Sequence, residues 1–277
     1  QENPEEKLRF PSAIDLHKFL VKWVKVENPW YYEVSKTSPQ YALRYLGKAF
    51  SDFFRKKTAN GRKVGFPRFK RKGQHDSLTL EGTIKIEHSA IQLPKLGILK
   101  TYERLPQGLT PKTAIISRTA DRWFVSFSYE IEPTTTAKLV AACGVDLGIK
   151  TLATLSTGET FPSPQPYRQS QTRLARLQKA ASRKVKGSRN RHKANMKVAK
   201  QHAKTAKIRK DTLNKLTTHL AKNHSQVVIE DLNVSGMLAN HCLAKSIADL
   251  GMYEFRRQLA YKCELYGSEL IIVNRFF

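Results

Sequence analysis

Cysteine and long apolar runs are both scarce in this 277-residue sequence. Its three cysteines, Cys143, Cys242 and Cys263, form no CxxC pair, so the sequence predicts neither a disulfide framework nor a zinc site. Cys242 and Cys263 are expected to pack between helices. No apolar run reaches the roughly eighteen residues that a membrane span needs, and no signal-peptide pattern is present. These absences are typical of a cytoplasmic protein in a reducing compartment.

Acidic residues are also scarce, because 49 Lys and Arg stand against 23 Asp and Glu, for a formal net charge of +26. The imbalance is confined to two stretches. Residues 55–72 contain nine Lys or Arg and no acid, and residues 167–224 contain eighteen and one acid, Asp211. The rest of the chain holds 22 basic and 22 acidic residues, so these two stretches carry the whole net charge.

Positive charge concentrated in this way predicts a polyanionic partner, and nucleic acid is the partner that a pI of about 10.1 favours. A basic but inert surface is the alternative. The candidate phosphate-binding residues of the first stretch are Arg55, Lys56, Lys57, Arg62, Lys63, Arg68, Lys70, Arg71 and Lys72. Those of the second stretch are Arg183, Lys184, Lys186, Arg189, Arg191 and Lys193.

Residues 1–57 are predicted to form a helical lobe. Ser12 can cap a helix, with Asp15 three residues further on. Ser38-Pro39 predicts the start of a second helix, which runs into the first basic stretch. The aromatic residues here are expected to pack in a core, with base stacking as the alternative. The residues to which both possibilities apply are Trp23, Trp30, Tyr31 and Tyr32.

Residues 78–132, within a predicted domain at 58–135, change to short alternating apolar runs separated by glycine and proline. This is the pattern of a small antiparallel sheet or barrel. Residues 133–138, PTTTAK, are typical of a linker. The region is therefore predicted to be a small antiparallel β-barrel that ends in a short connection to the next domain.

Residues 136–277 run in the order strand, hairpin, helices, strand. Asp146 lies on the first apolar strand, in GVDLGIK, and Glu230 ends the apolar strand VVIED. This order, with an acid on each strand, is that of an RNase H-like fold, in which the two strands are neighbours. Residues 167–224 then form a basic helical insertion. The predicted fold class is α+β multidomain: a helical lobe, a small antiparallel β-barrel and an RNase H-like α/β domain.

Asp146 and Glu230 are the predicted catalytic and metal-binding residues. A carboxylate inside an apolar strand is costly unless it is paired or binds a metal. Two converging carboxylates would hold Mg²⁺ or Mn²⁺, and such ions activate water and stabilise the leaving oxygen of a phosphodiester. The alternative is that each acid caps or pairs locally. Asp231 is predicted to point the other way, as a structural or solvent-facing residue.

The chain resembles the TnpB proteins, the OrfB family of insertion-sequence transposons, which is related to type V CRISPR effectors. GFPRFK and the pair GVDLGIK and VVIEDLNVSGM are highly specific. The matching stretches run in family order over nearly the whole chain: ALRYLGKAFSDFFRKK, VGFPRFKRKGQHDSLTL, LPKLGILK, RWFVSFSYEI, GVDLGIKTLATLSTGE, VVIEDLNVSGM, SIADLGMYEFRRQLAYKCELYG and NRFF.

This resemblance implies an RNA-guided, metal-dependent DNA endonuclease with a RuvC-like domain. Asp146 matches the family's first catalytic carboxylate and Glu230 its second. Residues 1–57 match the recognition lobe, and residues 61–135 match the barrel that helps to hold guide RNA and target-adjacent duplex. The implied partners are a guide RNA from the transposon end and a double-stranded DNA target, without a membrane. The implied setting is prokaryotic, cytoplasmic and nucleoid-associated.

The family also has features for which this sequence shows no counterpart. They are a β-segment and helix before Gln1 and, after NRFF, a zinc ribbon with two CxxC motifs and a third catalytic Asp. Since the first methionine is Met196, the chain is expected to be a fragment. Without the third acid it is expected to hold metal weakly and to cut DNA poorly. The alternatives are a nuclease-inactive, RNA-guided repressor and, with less support, a strand-joining transposase.

Overall fold

The structure, a computed structural model, describes residues 10–55 and 64–274. The chain divides into two compact units, Gln1–Glu130 and Ile131–Phe277. The architecture is mixed α/β, with helices and sheets in both units. The domain boundary predicted at residue 135 lies near this division, whereas the one predicted at residue 57 falls outside the described residues. None of the described helices combines the length and apolar character that crossing a membrane requires.

The helices of the first unit are α1 (Ala13–Phe19), a π-helical turn (Leu20–Val24), α2 (Lys25–Glu27), a 3₁₀ turn (Pro29–Tyr32) and α3 (Thr37–Phe54). Ser12 caps α1 as predicted, because its hydroxyl accepts the Asp15 backbone N–H and the Asp15 carboxylate accepts the Ser12 N–H. The start predicted for α3 is wrong by two residues, since Lys36 rather than Ser38 is the cap.

The strands of the first unit are β1 (Ser77–Glu81), β2 (Lys85–Glu87), β3 (Ala90–Leu93), β4 (Gly97–Lys100), β5 (Thr113–Thr119) and β6 (Arg122–Ser128). They form two antiparallel sheets, in the orders β1-β5-β6 and β2-β3-β4. Both sheets contribute to one core, whose buried members are Leu80, Ile84, Ile91, Leu93, Ala114 and Ile116. No pairing among the described strands closes these sheets into the predicted barrel.

The sheet of the second unit contains β7 (Val140–Asp146), β8 (Thr151–Leu155), β9 (Thr160–Pro162), β10 (His224–Glu230) and β11 (Glu269–Val273). Its order is β11-β10-β7-β8-β9. Strands β7, β10 and β11 run parallel, whereas β8 and β9 are added by antiparallel hairpins. The predicted neighbour relation between the two acid-bearing strands is confirmed, because β7 and β10 pair directly.

The helices of the second unit are α4 (Pro166–Ser182), α5 (Arg189–Asn223), α6 (Val234–Ala239), α7 (Ala244–Leu250) and α8 (Met252–Tyr266). They provide the long connections that parallel strands require. The core lies between the sheet and helices α5 and α8. Its most buried members include Cys143, Leu213, Leu216, Leu220, Val227, Phe255 and Leu259. Burying each large apolar side chain contributes roughly 1.5–3 kcal/mol to the stability of the fold. This packing therefore holds the carboxyl ends of β7 and β10 in a fixed position.

Candidate functional site

Asp146 and Glu230 lie at the carboxyl ends of two adjacent parallel strands. Val145 of β7 is level with Ile229 of β10, and each acid is the next residue and the last of its strand. Because the carboxyl ends of parallel strands meet at one edge of a sheet, both acids emerge at the same edge. The structure therefore brings together the two acids that the sequence predicts to converge.

A cavity of about 270 Å³ lies at this edge, and both acids line it. Val145 and Ile229 form part of its apolar wall. Helix α8 contributes further lining residues, Met252, Tyr253, Phe255 and Arg256. Among the described residues, Asp146, Glu230 and Arg256 thus border a single small space.

The argument that a carboxylate is costly inside an apolar strand does not apply to Asp146, because its side chain is exposed. Val145 and Ile229 are buried, whereas the next residue of each strand, Asp146 and Glu230, is exposed. No described residue forms a hydrogen bond or ion pair with either side-chain carboxylate. Within the described residues, neither acid therefore caps a helix or pairs locally, which was the alternative.

Asp231 and Arg256 form an ion pair beside the cavity, with Arg256 Nη1 2.6 Å from Asp231 Oδ1. The Asp231 backbone N–H donates to the carbonyl of Val273 in β11, which fixes the residue just beyond the end of β10. Asp231 is exposed, as predicted. Sequence reasoning missed Arg256, because no local pattern distinguishes it from Arg257, which pairs with Glu254 instead.

Two carboxylates are a partial ligand set for a hard divalent cation. Mg²⁺ is commonly bound by one or two protein carboxylates and completes its octahedron with waters and substrate phosphates. Asp146 and Glu230 fit that role. Across residues 10–55 and 64–274, no group of three or more His, Cys, Asp or Glu side chains is placed to hold a metal. An ion at this edge would therefore need further oxygen ligands from water or substrate.

Helices α4 and α5 and the loop between them carry the second basic stretch. Five of its six predicted phosphate-binding residues are exposed: Arg183, Lys184, Lys186, Arg189 and Lys193. Arg191 is different, because its half-buried side chain donates to the carbonyl of Lys184 at 2.9 Å. Arg191 thus stabilises the loop, and the other five present their charge to solvent.

A line of exposed lysines continues along α5 beyond the residues predicted from the sequence. Its members are Lys193, Lys197, Lys200, Lys204 and Lys207, which we call the α5 lysine stripe. Steps of four and three residues keep these side chains on one face of a helix. At a rise of 1.5 Å per residue the stripe is roughly 20 Å long. The spacing is visible in the sequence and could have extended the prediction.

Comparison with known proteins identifies the family. The OrfB_IS605 family model, described as "Probable transposase", matches residues 126–241. InsQ of Escherichia coli (strain K12), named an RNA-guided DNA endonuclease, is 36% identical over 98% of this chain and 71% of its own length. The chain belongs to the OrfB (TnpB) family.

Two further similarities accompany this membership. A Streptomyces pristinaespiralis protein named "Putative RNA-guided DNA endonuclease" is 39% identical over 96% of this chain and 66% of that protein. The chain thus spans about two thirds of the length of these OrfB relatives. The match to a chain of a solved Cas12f1–sgRNA–target DNA complex covers 95% of this chain and 69% of the matched chain, with a TM-score of 0.48 and 12% identity.

The OrfB family match contains both acids and the whole α4–α5 pair. The first basic stretch lies outside the match. Arg55 is exposed at the end of α3, and the exposed residues of the segment before β1 are Arg68, Lys70, Arg71 and Lys72. Four predicted residues, Lys56, Lys57, Arg62 and Lys63, lie outside the described residues.

The aromatic residues of the helical region are more exposed than predicted. Trp23, Trp30 and Tyr32 are 53%, 53% and 60% exposed, so the expectation that they pack in a core is wrong. Tyr31 is half-buried and stacks on Trp30, with ring centroids 4.0 Å apart. The π-helical and 3₁₀ turns before α3 break the 3.6-residue period, so these side chains do not share one inward face.

The cysteines divide into buried and exposed positions. Cys263 packs in α8 as expected, and burial raises the pKa of its thiol to about 11. Cys143 is also buried, in β7. The expectation that Cys242 packs between helices is wrong, because it lies exposed in the turn before α7.

Proposed function

We propose that the protein is an RNA-guided, metal-dependent DNA endonuclease whose RuvC-like site is built on an RNase H-like sheet. One observation carries the proposal: Asp146 and Glu230 end adjacent parallel strands and line one cavity without a described side-chain partner. The sheet order β11-β10-β7-β8-β9 supports the RNase H-like assignment. The names of the two OrfB relatives support the RNA-guided activity.

The two carboxylates would hold Mg²⁺ or Mn²⁺, which supplies an activated water and stabilises the leaving oxygen of a phosphodiester. Asp146 and Glu230 contribute by their fixed positions, because the strand register holds them level at one edge. Buried Val145 and Phe255 line the apolar side of the cavity. The chain thereby orients the oxygen ligands before a phosphate arrives.

The α5 lysine stripe and the exposed α4–α5 loop would bind nucleic-acid backbone. Lysines bind phosphates without reading sequence, so specificity would come from base pairing with a guide RNA. The proposed partners are a transposon-end guide RNA and a double-stranded DNA target. The helix pair leaves the sheet after β9 and returns to it at β10, so the binding surface is built into the same unit as the acids.

A second candidate is an RNA-guided DNA-binding protein that represses without cutting. The observation that favours it is that only two carboxylates converge among the described residues, without a third acid. The two candidates share the guide and the target. They differ in whether Asp146 is needed for DNA cleavage.

One experiment tests both candidates. The protein is purified from its host, the co-purifying RNA is sequenced, and a DNA duplex matching that RNA is offered with Mg²⁺ or Mn²⁺. Enrichment of one transposon-end transcript supports guided recognition, whereas random RNA contradicts it. Cleavage that Asp146→Ala abolishes supports the nuclease. Equal, guide-dependent binding by both forms without cleavage supports the repressor.

A further inference from the structure

Arg256 lines the same cavity as the two acids, yet its ion pair is with Asp231 and with neither of them. A guanidinium is always charged and binds carboxylates through a rigid fork of donors. A free Arg256 beside Asp146 and Glu230 would therefore compete with a divalent cation for their oxygens. Within the described residues both carboxylates are left without such a partner.

The reason lies in Asp231. Its Oδ1 receives Arg256 Nη1 at 2.6 Å, and its backbone N–H is bonded to the Val273 carbonyl of β11. Asp231 is not one of the residues that line the cavity, so the Arg256 guanidinium is bonded to a carboxylate other than the two that line it. The side chains are 46% (Arg256) and 56% (Asp231) exposed, so the pair adds little to the stability of the fold.

We propose that Asp231 is a positioning residue that holds Arg256 away from Asp146 and Glu230 and so keeps both carboxylates free for a divalent cation. This inference rests on the metal site of the proposed function. It gives Asp231 a role that strand alternation alone did not suggest. It also explains why a cationic side chain is tolerated in the same cavity as two metal ligands.

The adjacent residue supplies a matched control. Arg257 is the next residue of α8, and its Nε lies 2.7 Å from the half-buried carboxylate of Glu254. Glu254→Gln therefore also releases an arginine from its carboxylate. The released residue, Arg257, does not line the cavity, whereas Arg256 does.

The test is a titration of the purified chain with Mn²⁺, followed by the electron paramagnetic resonance signal of the free ion. Asp231→Asn should weaken Mn²⁺ binding about tenfold, the lower range for removing a residue that supports metal ligands. The double variant Asp231→Asn with Arg256→Gln should recover the wild-type affinity or exceed it. Glu254→Gln should bind Mn²⁺ as the wild type does.

The outcomes separate this inference from the proposed function. If Asp146→Asn removes the Mn²⁺ site but Asp231→Asn binds normally, the positioning role is overturned and the metal site stands. If the double variant stays as weak as Asp231→Asn, Arg256 is not the competitor and the inference also fails. If Asp146→Asn does not affect Mn²⁺ binding, the proposed metal site falls, and the inference with it. Thermal unfolding of each variant verifies that all are folded.

Discussion

The carboxylate of Asp249 receives the guanidinium of Arg209, with Nη2 2.9 Å from Oδ1. The same carboxylate accepts the backbone N–H groups of Tyr167 and Arg168 at the start of α4. The Asp249 side chain is only 4% exposed. One buried carboxylate therefore caps α4 and connects it to α5 and α7.

Replacing Asp249 with Ala should destabilise the second unit by about 3 kcal/mol, since removing one partner leaves a partly buried guanidinium and two N–H groups without their acceptor. Urea unfolding followed by circular dichroism measures this loss. The control is Asp211→Ala, which breaks the exposed pair with Lys215 on the same α5 and should leave the midpoint nearly unchanged. Equal effects of the two substitutions would contradict the role assigned to Asp249.

The next prediction concerns the stability cost of replacing Gly251, the residue between α7 and α8. Its φ is +71°, and an added Cβ would lie 3.1 Å from side-chain carbons of Arg209 and Leu213. Gly251→Ala should cost more than Gly187→Ala, because Gly187 has a similar φ of +86° but no atom within 4 Å of an added Cβ. Backbone strain of about 1–2 kcal/mol is common to both. Equal unfolding midpoints for the two variants would show that packing around Gly251 is loose.

Thiol labelling tests the burial of the cysteines. A maleimide reagent at neutral pH should modify Cys242 rapidly in the native protein and leave Cys143 and Cys263 unmodified. The thiolate is the reactive form, and burial both blocks access to Cys263 and raises its pKa to about 11. In denaturant all three cysteines should react. Mass spectrometry of digests identifies the sites, and rapid native labelling of Cys263 would contradict the packing of α8.

The α5 lysine stripe predicts a salt-dependent contribution to nucleic-acid binding. The triple variant Lys193→Gln, Lys197→Gln, Lys204→Gln should reduce the slope of log affinity against log salt by roughly 0.7–0.9 for each phosphate that the variant no longer neutralises. Fluorescence anisotropy of labelled oligonucleotides at several salt concentrations measures it. Lys245→Gln is the control, an exposed lysine of α7 away from the stripe. A triple variant with the wild-type slope would show that the stripe faces solvent when nucleic acid binds.

The acid pair could be predicted from the sequence because its information is local. An apolar run that ends in an acid predicts a strand, and the connecting helices imply a parallel neighbour. That reasoning found Asp146 and Glu230 but misjudged their exposure, because a run of letters does not say which face of the sheet an end residue takes.

The parts that sequence reasoning missed depend on distant partners. Arg256 reaches the cavity only because α8 packs against the sheet, and nothing in the residues around it marks that packing. Asp249 lies 82 residues from Tyr167, whose N–H it accepts, so no capping pattern connects them. Trp23 and Trp30 lie in a π-helical and a 3₁₀ turn of the structure, which no local sequence pattern marked.

The central claim is that Asp146 and Glu230 hold one divalent cation. Fe²⁺ can take the place of Mg²⁺, and with ascorbate and peroxide it produces hydroxyl radicals that cut the polypeptide close to the bound ion. Cuts are expected near residues 146 and 230, and they should disappear in Asp146→Asn and Glu230→Gln but persist in Asp211→Asn. Cuts elsewhere, or cuts at these strands that survive both substitutions, would contradict it.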